Sequence, residues 1–222
     1  MDYEKLIYTL ASIFAGWSLA QVTGVIKDFL CKKKIQKCLI EELEELQTEL
    51  NRTLIIYSRQ LQIYSLQCID NGCATPLSNH IFKNYYKDVV QVLNKNQRIS
   101  FQLIHTLIEN INIRIKELDK VTGDLQKKHV LEGEGSISNA ECKSWGEAIK
   151  VEFHNVSMAI WHIKFHLDNP KSPDLSPYTK EHEQYLQYLE SVYKNVQKIM
   201  EEAKNLNKKD FERIYNPNNF AK

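Results

Sequence analysis

Residues 6–26 are 21 amino acids without a charge, and no other feature constrains the fold of this chain so tightly. As a helix this run extends about 31 Å, enough to cross the hydrocarbon core of a bilayer. Nine Leu, Ile, Val or Phe residues within it favour insertion by roughly 3–5 kcal/mol, from which Gln21 and the Ser and Thr residues subtract. The sequence leaves two other uses of the run open. A signal peptide could be cleaved after Ser18-Leu19-Ala20, although its leading region is acidic and the apolar run continues past that point. A soluble protein could bury the run as a core helix.

The flanks give the expected direction of insertion. Lys27, Lys32, Lys33, Lys34 and Lys37 follow the run with only Asp28 among them, whereas Asp2, Glu4 and Lys5 precede it. Positive charge stays on the cytoplasmic side. The expectation is therefore a single-pass protein of the cell membrane, with residues 1–5 outside and the bulk of the chain cytoplasmic. The five lysines would rest against lipid headgroups. Ser12, Gly16, Ala20 and Gly24 recur every fourth residue, a small-residue stripe along which two membrane helices can approach closely, so a homo-oligomer is expected.

Beyond the run the pattern is helical. Only 7 Gly and 5 Pro occur in 222 residues, too few turn formers for most all-β or glycine-loop α/β folds. Apolar residues recur at spacings of three and four from Ile35 to Cys68, which predicts one helix from the membrane to about residue 67. Residues 70–76 read as a turn, after which Ser78 or Asn79 caps a helix carrying Ile81, Phe82, Tyr85, Tyr86, Val89, Val90 and Leu93. Asn94-Lys95-Asn96 marks a weaker break. Ile99 to Leu125 forms the next stripe, with Gly123 a point of fraying. Ser138 and Glu141 have the spacing of a capping box, opening a helix with Trp145, Ile149, Phe153, Val156, Ile160, Ile163 and Leu167 on one face. The last stripe runs from Tyr185 to Leu206 in heptad-like steps, compatible with a coiled coil and more simply with bundle core. The predicted fold is all-α: a transmembrane helix at 6–26, a basic segment and long helix at 27–67, the rest of an antiparallel bundle of four to five long helices at 78–206, and a tail at 207–222 with a short helix.

Charge and cysteine content exclude several functions. With 29 Lys and Arg against 28 Asp and Glu, the net charge is +1, which supplies no general attraction to nucleic acid, and no DNA partner is expected. Glu41, Glu42, Glu44 and Glu45 read as a solvated face. Five Cys, at 31, 38, 68, 73 and 142, contain no CxxC pair and fit reduced cytoplasmic thiols. Abundant Lys, Asn and Ile fit an AT-rich, bacterial genome. No phosphate loop or nucleophile elbow is present, and no cofactor is expected.

Two constellations remain as candidate chemistry. His162 and His166 lie one helical turn apart, a spacing that can share a metal, with His154 two turns earlier. Their place away from the Val156/Ile163/Leu167 stripe predicts solvated histidines instead. Arg98 and His105 stand seven residues apart on one predicted helix face. The segment Arg98-Ile99-Ser100-Phe101-Gln102-Leu103-Ile104-His105 resembles the Arg-x4-6-His motif of HEPN-domain ribonucleases, helical bundles that often dimerise and act in toxin and antiviral systems. The resemblance implies metal-independent RNA cleavage, with His105 as acid/base and Arg98 on the phosphate; Ile99 departs from the polar residue usual after the Arg. Without that resemblance, the sequence predicts a membrane-anchored interaction module with an unidentified protein partner. A membrane-perturbing oligomer built on the small-residue stripe is a third reading.

Overall fold

The computed structural model describes residues 3–133 and 135–206. The expected short helix of the tail, in residues 207–222, lies outside the described residues. Five helices follow in order: α1 (Tyr3–Ser65), α2 (His80–Val89), α3 (Lys95–Glu132), α4 (Asn139–Asp168) and α5 (Lys180–Ala203). The protein is all-α, with one long apolar N-terminal helix followed by helices that pack together.

α1 runs unbroken through 63 residues, so the apolar run and the first bundle helix are one rod. Its buried side chains begin at Leu39 and continue through Leu43, Leu46, Leu50, Tyr57, Leu61 and Tyr64, the spacing of a single helix face. It ends where Gln67 takes a left-handed φ of 59°. There Cys68 N–H donates to the Ile63 carbonyl and Gln67 N–H to that of Tyr64, a Schellman closure made without the usual glycine.

Residues 66–79 form an extended strap that descends beside α1. A strap without a strand partner must find partners for its backbone elsewhere. Asn112 of α3 accepts from Leu77 N–H at 2.7 Å and donates to its carbonyl at 2.8 Å. Gln60 of α1 donates to the Gly72 carbonyl, and the buried Asp70 carboxylate pairs with Arg59 at 2.9 Å. α2 continues the descent along α1 and is only 10 residues long, ending at Val89 instead of continuing through Leu93 as expected.

α3 returns parallel to α1. Glu42 lies beside His105 at one level, while Tyr57 and Gln60 line one small cavity with Leu118 and Thr122 further along. α3 begins with a capping box between Asn94 and Gln97, so the break expected at Asn94 is a full helix start, and the helix passes Gly123 without ending. α4 starts with the expected box between Ser138 and Glu141. Lys128 and Ser138 together hold the Glu141 carboxyl down to about 2. α4 is the central helix, packed against α1, α3 and α5. The stripe of α5, including Val192 and Val196, is bundle core.

Candidate membrane interface and the buried histidine layer

The first third of α1 has no packing partner. From Ile7 to Cys31 every side chain is exposed except the half-buried Ser18. Among them Ile13, Phe14, Leu19, Val25 and Phe29 are each more than 60% exposed. This is an apolar surface on all sides of a helix long enough to cross a membrane. Ser12 and Thr23 turn their hydroxyls back onto the carbonyls of Tyr8 and Leu19, which masks their polarity along the apolar rod.

The small-residue stripe has a definite relation to the bundle. At about 100° per residue, Ser12, Gly16, Ala20 and Gly24 centre about 40° from the exposed side of α1 and about 130° from its buried side. The exposed side carries Glu41, Glu45, Thr48, Arg52 and Ile55, and the buried side Leu39, Leu43, Leu46 and Leu50. A methyl group added at Gly16 or Gly24 would meet nothing within 4 Å.

Of the five lysines, Lys32 pairs with Asp28 at 2.7 Å and Lys37 with Glu41 at 3.1 Å. Lys27, Lys33 and Lys34 have no ion pair among the described residues.

At the lower end of the bundle lies a buried polar layer that the sequence did not reveal. Glu42, 4% exposed, accepts hydrogen bonds from the backbone N–H groups of Ile81 at 2.6 Å and Phe82 at 3.0 Å. It thereby caps α2 from another helix, while Asn79 at the N-cap position makes no side-chain cap bond. The solvated reading of the four glutamates is corrected at this one: Glu41, Glu44 and Glu45 are exposed and Glu42 is not. Burial pushes its carboxyl up from the ordinary range, against the lowering effect of the two amides.

His105 sits against this carboxylate, Nε2 to Oε2 3.8 Å. The ring stacks on Phe82 at 3.7 Å between centroids and is 1% exposed. Burial pushes the imidazole down to about 3, with His166 and Lys83 adding to the effect. Such a ring is neutral at pH 7 and far from the range in which proton exchange is efficient. Arg98, half-buried, lies beside Tyr86, whose hydroxyl donates to the Arg98 carbonyl. α3 thus carries both residues of the ribonuclease-like segment, but the ring of His105 is sealed between α1, α2 and α4 in this arrangement.

His162 and His166 are corrected as well. The sequence placed them in solvent, whereas they are 7% and 0% exposed, because α4 is covered on three sides and its second face is also interior. They turn to different neighbours. His162 packs against Trp161 and Tyr185, while His166 Nδ1 lies 2.8 Å from Ser100 Oγ and its ring against Phe101. Burial pushes both imidazoles down to about 4. Among the described residues no three His, Cys, Asp or Glu are grouped to hold a metal ion.

No family model, curated protein or solved structure matches the chain.

Proposed function

We propose that the chain is a single-pass membrane protein whose bundle, on the cytoplasmic side of the cell membrane, serves as a protein-association module. The observation that carries this reading is the contrast within α1. A continuous apolar surface from Ile7 to Ile26 lies open, with Phe29 and Leu30 exposed beyond Lys27 and Asp28, and the same helix then enters a well-packed core. An open patch of this size marks a lipid or protein contact, and its all-round apolarity favours lipid. The basic segment after it supports the cytoplasmic orientation. The position of the small-residue stripe, on the side of α1 away from the core, supports self-association, because a second parallel copy can approach there without meeting the body of the bundle.

Orientation is tested by labelling cells that express the full chain with a membrane-impermeant maleimide. Cys68 and Cys73 are exposed reporters and Cys142 is a buried, silent one. The proposal expects Cys68 and Cys73 to be protected in intact cells and labelled after lysis. Labelling in intact cells overturns the cytoplasmic placement.

A further inference from the structure

Where α1 and α3 flank the strap, a cavity whose wall includes Tyr57, Gln60, Gly72, Cys73, Asp119 and Thr122 leaves about 10 Å³ for the centre of a water molecule, the room that a single water needs. We propose that this cavity binds one structural water, which accepts a hydrogen bond from Tyr57 Oη, donates one to Gln60 Oε1 and so completes the anchor of the strap on α1. The inference is independent of the membrane reading of α1.

Two orphaned atoms on one wall carry the inference. Tyr57 and Gln60 stand three residues apart on one face of α1 and are 0% and 1% exposed, yet Tyr57 Oη and Gln60 Oε1 have no hydrogen-bond partner. Buried polar atoms left in that state are costly, and a water is the usual remedy. Gln60 Nε2 donates to the Gly72 carbonyl, which fixes the orientation of the amide and leaves its oxygen, an acceptor only, as the free atom. The Tyr57 hydroxyl is the complementary donor. Burial pushes its pKa up, with Glu152 and Cys73 adding to the effect, so the phenol keeps its proton. Thr122 does not serve the two orphans directly, because its hydroxyl already donates to the Leu118 carbonyl and accepts from Trp145 Nε1 at 2.9 Å. The Asp119 carboxylate, at the exposed edge of the same wall, accepts from the Cys73 thiol at 2.8 Å and has lone pairs to spare for the second proton of the water. One water thus finds three partners, the usual number for a buried one. They come from α1 and α3, and Gln60 passes the tie on to the strap.

The test is a crystal structure of the full chain in detergent, at a resolution that shows ordered waters, joined to a double-mutant cycle. The expected density has one water within hydrogen-bonding distance of both Tyr57 Oη and Gln60 Oε1, and Tyr57→Phe removes it. In the cycle, Tyr57→Phe and Gln60→Leu each break the bridge, so the second change costs less once the first is made. The unfolding equilibrium constant of the double variant should fall short of the product of the single effects by about fivefold, the ratio equivalent to ~1 kcal/mol for one hydrogen bond. A dry cavity in the unaltered chain overturns the proposal, as does Tyr57 Oη donating directly to Gln60 or Glu152. Strictly multiplicative effects in the cycle overturn the bridge as well. Should a variant fail to fold, the density of the unaltered chain decides alone.

Discussion

The two halves of α1 are built from similar apolar residues and come to opposite environments. Residues 7–30 carry their large side chains on every side and bury none of them, whereas Leu39, Leu43, Leu46 and Leu50 fall on one face and are 0–1% exposed. Amount of apolar surface does not distinguish the two halves; its angular distribution does. A one-sided stripe can be covered by neighbouring helices, and an all-round surface cannot be covered by a bundle that lies on one side only. Charge follows the same division: residues 7–26 have none, and residues 41–52 alternate glutamates and an arginine on the side that the bundle leaves open.

The largest expected effect separates the halves directly. Leu43→Asp places an unpaired charge in the core and should cost more than ~4 kcal/mol, enough to abolish the cooperative thermal transition of the full chain in detergent. Leu19→Asp should leave that transition in place and disfavour insertion by roughly 3–4 kcal/mol, read as a smaller membrane-retained fraction. Equal thermal effects from the two changes would erase the distinction.

Acid should act on the bundle half alone. His105, His162 and His166 have folded-state values of about 3, 4 and 4, below the ordinary 6.5. Their stabilising effect is therefore complete above pH 6.5 and is lost as pH falls below it toward those values. Three histidines at ~1.4 kcal/mol per pH unit each amount to roughly 4 kcal/mol at pH 5.5. Glu42 and Glu152, raised by burial, act in the opposite sense and temper the loss at the acid end, which the histidines carry from pH 6.5 down toward about 4. Denaturant titrations across this window check the slope, and His105→Phe, which keeps the stack on Phe82, should reduce it by about a third.

Glycine gives a finer contrast. A methyl group at Gly146 would collide with the Tyr64 ring, so Gly146→Ala should lose ~1–3 kcal/mol of stability. Gly16→Ala should change bundle stability by less than ~0.5 kcal/mol. Melting curves of the two variants measure the difference. The smallest loss expected within the bundle is at the remote cap: Glu42→Gln should cost ~1–2 kcal/mol and speed hydrogen exchange at the amides of Ile81 and Phe82 more than at those of α4.

What the sequence revealed follows the range of the interactions. The continuity of α1, the Ser138/Glu141 box, the α4 core stripe and the heptad-like stripe of α5 are set by residues three or four apart, and each was legible. The strap was not, because its backbone partners Gln60 and Asn112 lie 12 and 35 residues away. Glu42 was misread for the same reason, since it caps a helix start 39 residues on. Its place beside Leu43, one residue before a core position, was the only hint. His162 and His166 were misplaced because periodicity finds the strongest apolar face of a helix and does not report how many neighbours surround it. The small-residue stripe and the basic flank were readable as patterns, and only the structure relates the stripe to the uncovered side of α1.

The most direct test of the two-part helix is exhaustive trypsin digestion of the full chain reconstituted in vesicles, followed by carbonate washing. Lys27 closes the apolar run on the bundle side and Lys5 lies across the bilayer from it, so the account predicts that a peptide containing residues 6–26 stays with the lipid while peptides from α3, α4 and α5 of outward-facing bundles are released. Recovery of residues 6–26 in the washed-out fraction would contradict it and return the first part of α1 to an aqueous or protein-covered surface.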